Sequence, residues 1–567
     1  MSASQQIVRA LDEARDQLTG PGAPFEIEDR QVGGTVFRVY KNAPANLREA
    51  IAVAREHGDK TFLTYGDERF SFNDYFERVD RLGGHLVDHY GIAKGDRVAI
   101  AMRNYPEWMM AYAAIVSVGA IVVPLNSWGQ ADELAYALSD AGARLVFCDE
   151  QRASYIDDRL DGLGCDAIVV RSDRQFDSSR IATWDSTQGG AAELPEVDIS
   201  AGDLAMIMYT SGTTGNPKGA VSTHFAVCQA LQNFEVHSYM SAMVNPETIG
   251  RMMESGFEPS TLLTMPLFHV SGCYSVFLLN LRGGRKTSIM YKWDPDEALR
   301  IIEREHITVF TGVPTMTMAM MGSELWDKTD TSSLFSIGAG GTACPPHLKD
   351  LIYGKLPQAY PGTGYGMTET NATCANCTGE AWRLEPTSSG TLSPIVELKT
   401  VDDDGNDLAE GETGELYVRS PANVQQYWNL PEASAATFKD GWVATGDIGY
   451  LNEDGFLFIV DRKKDMVIRG GENIYPIEVE GALLTHPAVH EAAVFGVPHD
   501  TWGEELVATV YADEGTSASE LADYLRDQLA AFKVPAHLNL QATPLEKNAT
   551  GKVLKKAIRQ AWLDGQG

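Results

Sequence analysis

From Tyr209 to Gly219 the chain reads Tyr-Thr-Ser-Gly-Thr-Thr-Gly-Asn-Pro-Lys-Gly, with three glycines, four Ser/Thr hydroxyls and one lysine in eleven residues. Glycines let backbone N–H groups approach phosphate oxygens, hydroxyls donate further hydrogen bonds, and Lys218 supplies charge. Thr210, Ser211, Gly212, Thr213, Thr214 and Lys218 therefore have the chemistry of a triphosphate cradle. Lys218 is followed by Gly219 rather than Ser or Thr, which excludes a Walker A loop. An ordinary surface loop has no need of so many hydroxyls beside a lysine.

Other segments could complete a site. Gly364-Tyr-Gly-Met-Thr-Glu369 sets a hydroxyl beside a carboxylate after a glycine-rich turn; Thr445-Gly-Asp447 offers a second carboxylate; Asn548-Ala-Thr-Gly-Lys552 projects a cation from a turn. Each has a bland reading on its own. A Thr-Glu pair caps helices, Asp after Gly sits in turns, and Lys552 belongs to a basic group with Lys547, Lys555 and Lys556. His269, in Pro266-Leu-Phe-His-Val270, reads alone as a packed or capping histidine. Gly338-Ala-Gly-Gly-Thr-Ala343 imitates a dinucleotide fingerprint, but Pro345-Pro346 intrude and no acidic residue follows at ribose distance.

Taken in order, the segments at 209–219, 266–270, 365–370, 445–447, Asp461-Arg-Lys-Lys-Asp465 and 548–552 resemble the signature elements of the adenylate-forming enzymes. This superfamily includes acyl-CoA synthetases, aryl-CoA ligases, luciferases and peptide-synthetase adenylation domains, and the chain looks most like bacterial fatty-acid–CoA ligases. The resemblance implies an acyl-adenylate made from ATP and a carboxylic acid, then transfer of the acyl group to the CoA thiol. It implies Mg²⁺ on Glu369, Thr368 at the α-phosphate, and Asp447 with Arg462 at the ribose. Gly340, Gly341 and Thr342 would line the adenine and acyl sites, and Gly364, Tyr365, Gly366 and Met367 would complete the nucleotide site. His269, Ser271 and Gly272 would form the carboxylate end of the acyl pocket. Lys552 would bridge carboxylate and α-phosphate. Lys464 would mark a hinge beyond which Gly470, Gly471 and Glu472 line the CoA channel. Two features depart from the family pattern: Ala343 stands where proline is common, and lysines near Ile468 and Gly470 are absent.

The elements that must position these residues form an α/β fold. A large N-terminal domain of helix-covered sheets (46–461, with a β-rich subdomain at 401–460) precedes a small α+β domain (462–567), which the resemblance implies is mobile. Residues 1–45 form an extension with a charged helix at about 5–18. Helices are expected at 46–57 and at 73–89, the latter with Asn73 as N-cap. Strands are expected at 98–101, 145–148, 203–208, 261–265 and 307–310. The apolar run 108–125 approaches membrane-spanning length, yet Gly119 and Pro124 divide it into a buried helix and a short strand.

A chain of 567 residues needs more than one core. Its formal charge of −32 argues against nucleic acid and anionic membranes as partners. Seven cysteines without a secretory signal suit cytoplasmic thiols, and Cys374-Ala-Asn-Cys377, a lone CxxC, reads as a loop with two incidental thiols. The expected enzyme is an AMP-forming acyl-CoA ligase of the cytoplasm; the resemblance allows a homodimer. Small Ser271 and Gly272, with the methionines of 309–321, favour a medium- or long-chain fatty acid. Aryl, terpenoid and steroid acids, a carrier-protein thiol as acceptor, a non-catalytic nucleotide or acyl sensor, and a nicotinamide oxidoreductase are the alternatives.

Overall fold

The computed structural model describes residues 1–191, 193–210, 217–340, 344, 345, 347–470, 472–548 and 550–566. Alternating helices and strands build two broad sheets, as expected where strands are joined by helical crossovers. In a seven-stranded sheet, Leu204–Thr210, Ile121–Pro124, Arg97–Ala101, Leu145–Asp149, Asp166–Val170 and Ile181–Thr183 run parallel in that spatial order. Lys218–Thr223 closes one edge antiparallel to Leu204–Thr210. A nine-stranded sheet has a parallel centre that includes Ser260–Leu263, Val309–Gly312, Ser336–Ala339 and Tyr360–Tyr365.

The helix Pro106–Ser117 is buried along its whole length, and Trp108 and Met110 share one apolar cluster with Val98 and Ile100 of the first sheet and Leu263 and Ile289 of the second. A helix apolar on every side belongs in such a core. Gly119, at φ +74°, turns the chain into the strand Ile121–Pro124. Among the described residues no helix is long and apolar enough to cross a membrane.

Antiparallel strands Glu397–Val401, Gly414–Arg419, Trp442–Leu451 and Leu457–Arg462 form a third sheet. Beyond Arg462 a five-stranded sheet and the helices Pro476–Leu484, Ala518–Arg526 and Lys555–Gln566 make a small C-terminal domain with its own core of Val467, Ile474, Leu483, Val494 and Leu506. Asp461 joins the two parts, accepting the Arg462 N–H at 2.7 Å and the Ile477 N–H at 2.9 Å. The fold is mixed α/β, a large N-terminal domain of helix-covered sheets followed by a small C-terminal one.

Several local expectations are corrected. The helix expected at 46–57 is α-helical only over Leu47–Ala52 and continues as a 3₁₀ turn, Val53–His57. The helix expected from Asn73 begins at Phe72, because Ser71 and Asp74 form a reciprocal capping box. Asn73 instead bonds Asp59. The CxxC is not a loop: Ala375–Thr378 is a strand. Cys374 packs with Val396 and Val418, and Cys377 with Trp382, so two fully buried thiols face different apolar clusters and cannot share a metal. The charged helix expected at about 5–18 spans Ala3–Thr19, and Ala14, Phe25 and Tyr40 of the extension pack on Val236, Met240 and Ile395.

Candidate active site

The candidate residues collect where strands of the two large sheets end and the small domain approaches. Thr210 ends one strand and Lys218 begins its antiparallel partner directly opposite, which aims both flanks of the glycine-rich loop the same way. Ser211, Gly212, Thr213 and Thr214 lie outside the described residues, as do Gly341, Thr342 and Gly471. The Lys218 ammonium rests 4.9 Å above the Tyr427 ring, whose hydroxyl donates to Glu369 Oε1 at 2.8 Å.

Thr368 and Glu369 are buried in a 3₁₀ turn after the strand Tyr360–Tyr365. Gly366 is obligatory there, since a Cβ would lie 1.5 Å from the Ala372 carbonyl oxygen. Met367 precedes the turn in extended conformation, its N–H bonded to Thr370 Oγ1 at 3.0 Å. Gly364 and Gly366 are exposed, and Gly340 leaves open space where a Cβ would stand. Asn371 then locks the segment in place. At φ +50°, its Oδ1 accepts from Ser222 at 2.8 Å and Tyr274 at 2.7 Å, and its Nδ2 donates to the Ala422 carbonyl at 2.8 Å. One carboxamide thus ties the Lys218 strand, the π-helix behind His269 and the turn that follows Glu369 together.

Asp447 faces Arg462 across the antiparallel pair of strands that carry them. Arg462 Nε lies 3.0 Å from Oδ1, and the Tyr365 hydroxyl donates to Oδ2 at 2.8 Å. Each carboxylate oxygen has a second lone pair for a ribose hydroxyl.

Lys552 comes from the small domain. Asn548 Oδ1 organises its turn, accepting from the Thr550 N–H (2.9 Å), the Thr550 hydroxyl (2.8 Å) and the Lys552 N–H (3.0 Å). Gly551, at φ +81°, approaches Val313 of the large domain so closely that a Cβ would lie 2.9 Å from its Cγ2. Burial, and then the neighbouring Arg462 guanidinium, push the Lys552 ammonium below its ordinary pKa; Asp447 opposes this and Lys464 adds to it. The other basic groups are accounted for differently: Lys547 pairs with Glu491 at 2.5 Å and Lys555 with Glu480 at 2.7 Å. Lys552 is therefore separated from the basic group with which its spacing could have placed it.

His269 N-caps a short turn, its Nδ1 accepting from the Ser271 N–H at 3.3 Å and lying 2.9 Å from the Ser271 hydroxyl. With Nδ1 an acceptor, the neutral ring carries its proton on Nε2. Burial, and then the Lys552 charge, push its pKa down to about 4. His269 is neutral at pH 7, an N–H donor rather than a base.

Two acyl-pocket arguments are corrected. Gly272 provides no room, because its Cβ would lie 2.2 Å from the Pro266 carbonyl oxygen; the missing side chain admits backbone, not ligand. Met316, Met320 and Met321 are buried core beside Trp326 and Leu348. Gly470 and Glu472 also stand apart from the cluster. They flank the tip of the hairpin Val467–Arg469 and Glu472–Ile474, where Gly470 meets Trp502 and Glu472 is exposed.

Residues 51–428 match the AMP-binding enzyme family, and 478–552 match the AMP-binding enzyme C-terminal domain. The chain belongs to the AMP-binding enzyme family. It is 32% identical over 483 residues to the long-chain-fatty-acid–CoA ligase FadD13 of Mycobacterium tuberculosis, covering 83% of this chain and 89% of that one. It is 35% identical over 480 residues to the 2-succinylbenzoate–CoA ligase of Geobacillus kaustophilus, with the same coverage. Its fold superposes on o-succinylbenzoate CoA synthetase (MenE) of Bacillus subtilis, solved with an acyl-adenylate intermediate, at TM-score 0.73 and 28% identity over 90% of this chain and 97% of that one. As a member of this family the protein is an acid–thiol ligase of the AMP-forming type, and the oxidoreductase reading of Gly338–Ala343 falls away.

Sequence reasoning missed Asn371, which directly follows the quoted 365–370 segment, and Tyr427, whose Gln-Gln-Tyr-Trp context carries no spacing signal.

Proposed function

We propose that this AMP-binding enzyme activates a medium- or long-chain fatty acid with ATP and transfers the acyl group to CoA. The acid's carboxylate oxygen attacks the α-phosphorus and pyrophosphate leaves. The CoA thiolate then attacks the acyl carbonyl and AMP leaves. The observation that carries this reading is the convergence of Lys552 from the small domain with His269, Asp447, Arg462 and Lys464. In a chain of charge −32, this cationic cluster focuses potential where anionic substrates meet. Lys552 stabilises charge built up between carboxylate and α-phosphate. His269 donates its Nε2–H to the acid's carboxylate, Asp447 receives the ribose, and Lys218 with Thr210 holds the outer phosphates.

Glu369 is a hard oxygen donor, and one carboxylate completed by phosphates and water is the usual complement of Mg²⁺. When bound, that ion would neutralise phosphate charge. The buried Glu369 carboxylate, fixed through one oxygen by Tyr427, fits this role.

A fatty acid is favoured by likeness to FadD13. The backfilled Gly272 and likeness to a 2-succinylbenzoate ligase favour a compact aryl acid as the second reading. Incubation with ATP, Mg²⁺, CoA and a mixed acid panel, read as AMP and acyl-CoA masses, tests both. One dominant fatty acyl-CoA is expected. A dominant aryl-CoA would replace the acid class; acyl-adenylate without acyl-CoA would move the acceptor to a carrier-protein thiol. No AMP with any acid would contradict the function.

A further inference from the structure

We propose that Tyr427 is a positioning residue for the phosphate–metal half of the site, orienting the Glu369 carboxylate for the cation that accompanies the triphosphate. The inference rests on the Mg²⁺ role proposed above for Glu369. Tyr427 and Glu369 are each only 7% exposed, and the Tyr427 hydroxyl donates to Glu369 Oε1 at 2.8 Å. The donor is held rigidly. The Tyr427 N–H bonds the Ser434 hydroxyl at 2.8 Å, and the Trp428 N–H bonds the Gly219 carbonyl at 2.7 Å. The Val221 N–H reaches the Gln426 carbonyl at 3.1 Å, while the Val424 N–H reaches the Glu369 carbonyl at 2.9 Å.

The segment 424–428 is therefore stitched both to the strand that begins at Lys218 and to the turn that carries Glu369. Its aromatic ring meanwhile receives the Lys218 ammonium on one face. A fixed donor on one carboxylate oxygen sets the plane of the group and leaves the other oxygen to a cation, as outer hydrogen bonds do for metal-ligating side chains.

Tyr427→Phe removes the hydroxyl but keeps the ring under Lys218. Mn²⁺ binding, read by electron paramagnetic resonance with a non-hydrolysable ATP analogue present, is expected to weaken about 10- to 100-fold. Affinity for the analogue without metal is expected to stay at the wild-type value. In a Glu369→Gln background the same substitution should add no further loss. Unchanged Mn²⁺ affinity would overturn the proposal, as would an equal fall in metal-free binding, which is the mark of a merely structural tyrosine. A wild-type analogue complex that takes up no Mn²⁺ would remove the metal role of Glu369 and this inference with it. Tight wild-type binding undisturbed by Tyr427→Phe would remove Tyr427 alone.

Discussion

The turn at 548–552 and the hairpin at 467–474 are both glycine-containing loops of the small domain, and they differ in what they touch. In the first, Asn548 gathers three donors, Gly551 abuts Val313, and Lys552 shares an electrostatic neighbourhood with His269 and Asp447 of the large domain. In the second, the described residues at the tip bond and pack against the small domain itself. The Gly470 N–H bonds the Trp502 carbonyl at 2.8 Å, and Arg469 stacks on the Trp502 ring and reaches the Phe532 carbonyl. One orientation of the two domains thus presents one set of groups to the large domain. We propose that this orientation serves adenylation. Rotation about the 462–465 junction would withdraw Lys552 and present the hairpin for thiolation.

Substitutions that fall on one loop alone sharpen this contrast. The largest effect is expected from Lys552→Ala. Acyl-adenylate formation, followed as pyrophosphate release, should fall about 10²- to 10³-fold, the scale of losing one charge-stabilising donor in a transition state. Thiolation of supplied acyl-adenylate should persist. Equal losses would dissolve the distinction between the loops. Gly470→Val is expected to do the reverse more mildly. At φ +62° a β-branched residue is strained, and its Cβ would press to 2.9 Å from the Trp502 ring. Thiolation should drop about tenfold with adenylation unchanged, in line with strain of about 1–2 kcal/mol.

The smallest effect is a titration. His224, His237 and His269 are all pushed from 6.5 down to about 4, chiefly by burial. Between those values the unfolded chain binds protons that the folded chain declines. Their contribution to stability is thus fully present above pH 6.5, falls as pH drops toward 4, and levels off below. Thermal melts across that range check the sign. In Lys552→Ala, the His269 resonance should titrate higher than in wild type, while His237, shifted by burial alone, should not move. An unmoved His269 would mean that Lys552 is not docked in solution.

Much of the scaffold was legible because its signals are local. The run 108–125 resolves into helix and strand through Gly119, and Thr210 and Lys218, which flank the glycine-rich segment, stand at the end of an apolar strand. What was illegible depends on contacts between distant residues. Tyr427 meets Glu369 58 positions away, and Asn371 meets Tyr274 and Ser222 97 and 149 positions away. Gly272 was misread because a glycine signals either empty space or close backbone approach, and only the Pro266 carbonyl decides which. The methionines of 314–322 have nearly the same hydrophobicity on every side, so periodicity could not tell core from pocket.

The most direct test is to lock the docked orientation. A Cβ on Gly551 would stand 4.0 Å from Val313 Cβ, within the span of a disulfide. In a Gly551→Cys, Val313→Cys double variant, single-turnover assays of the two half-reactions should be run oxidised and then reduced. The oxidised enzyme is expected to form acyl-adenylate but fail to pass it to CoA, and reduction to restore transfer. Undiminished thiolation in the fully oxidised enzyme would contradict it.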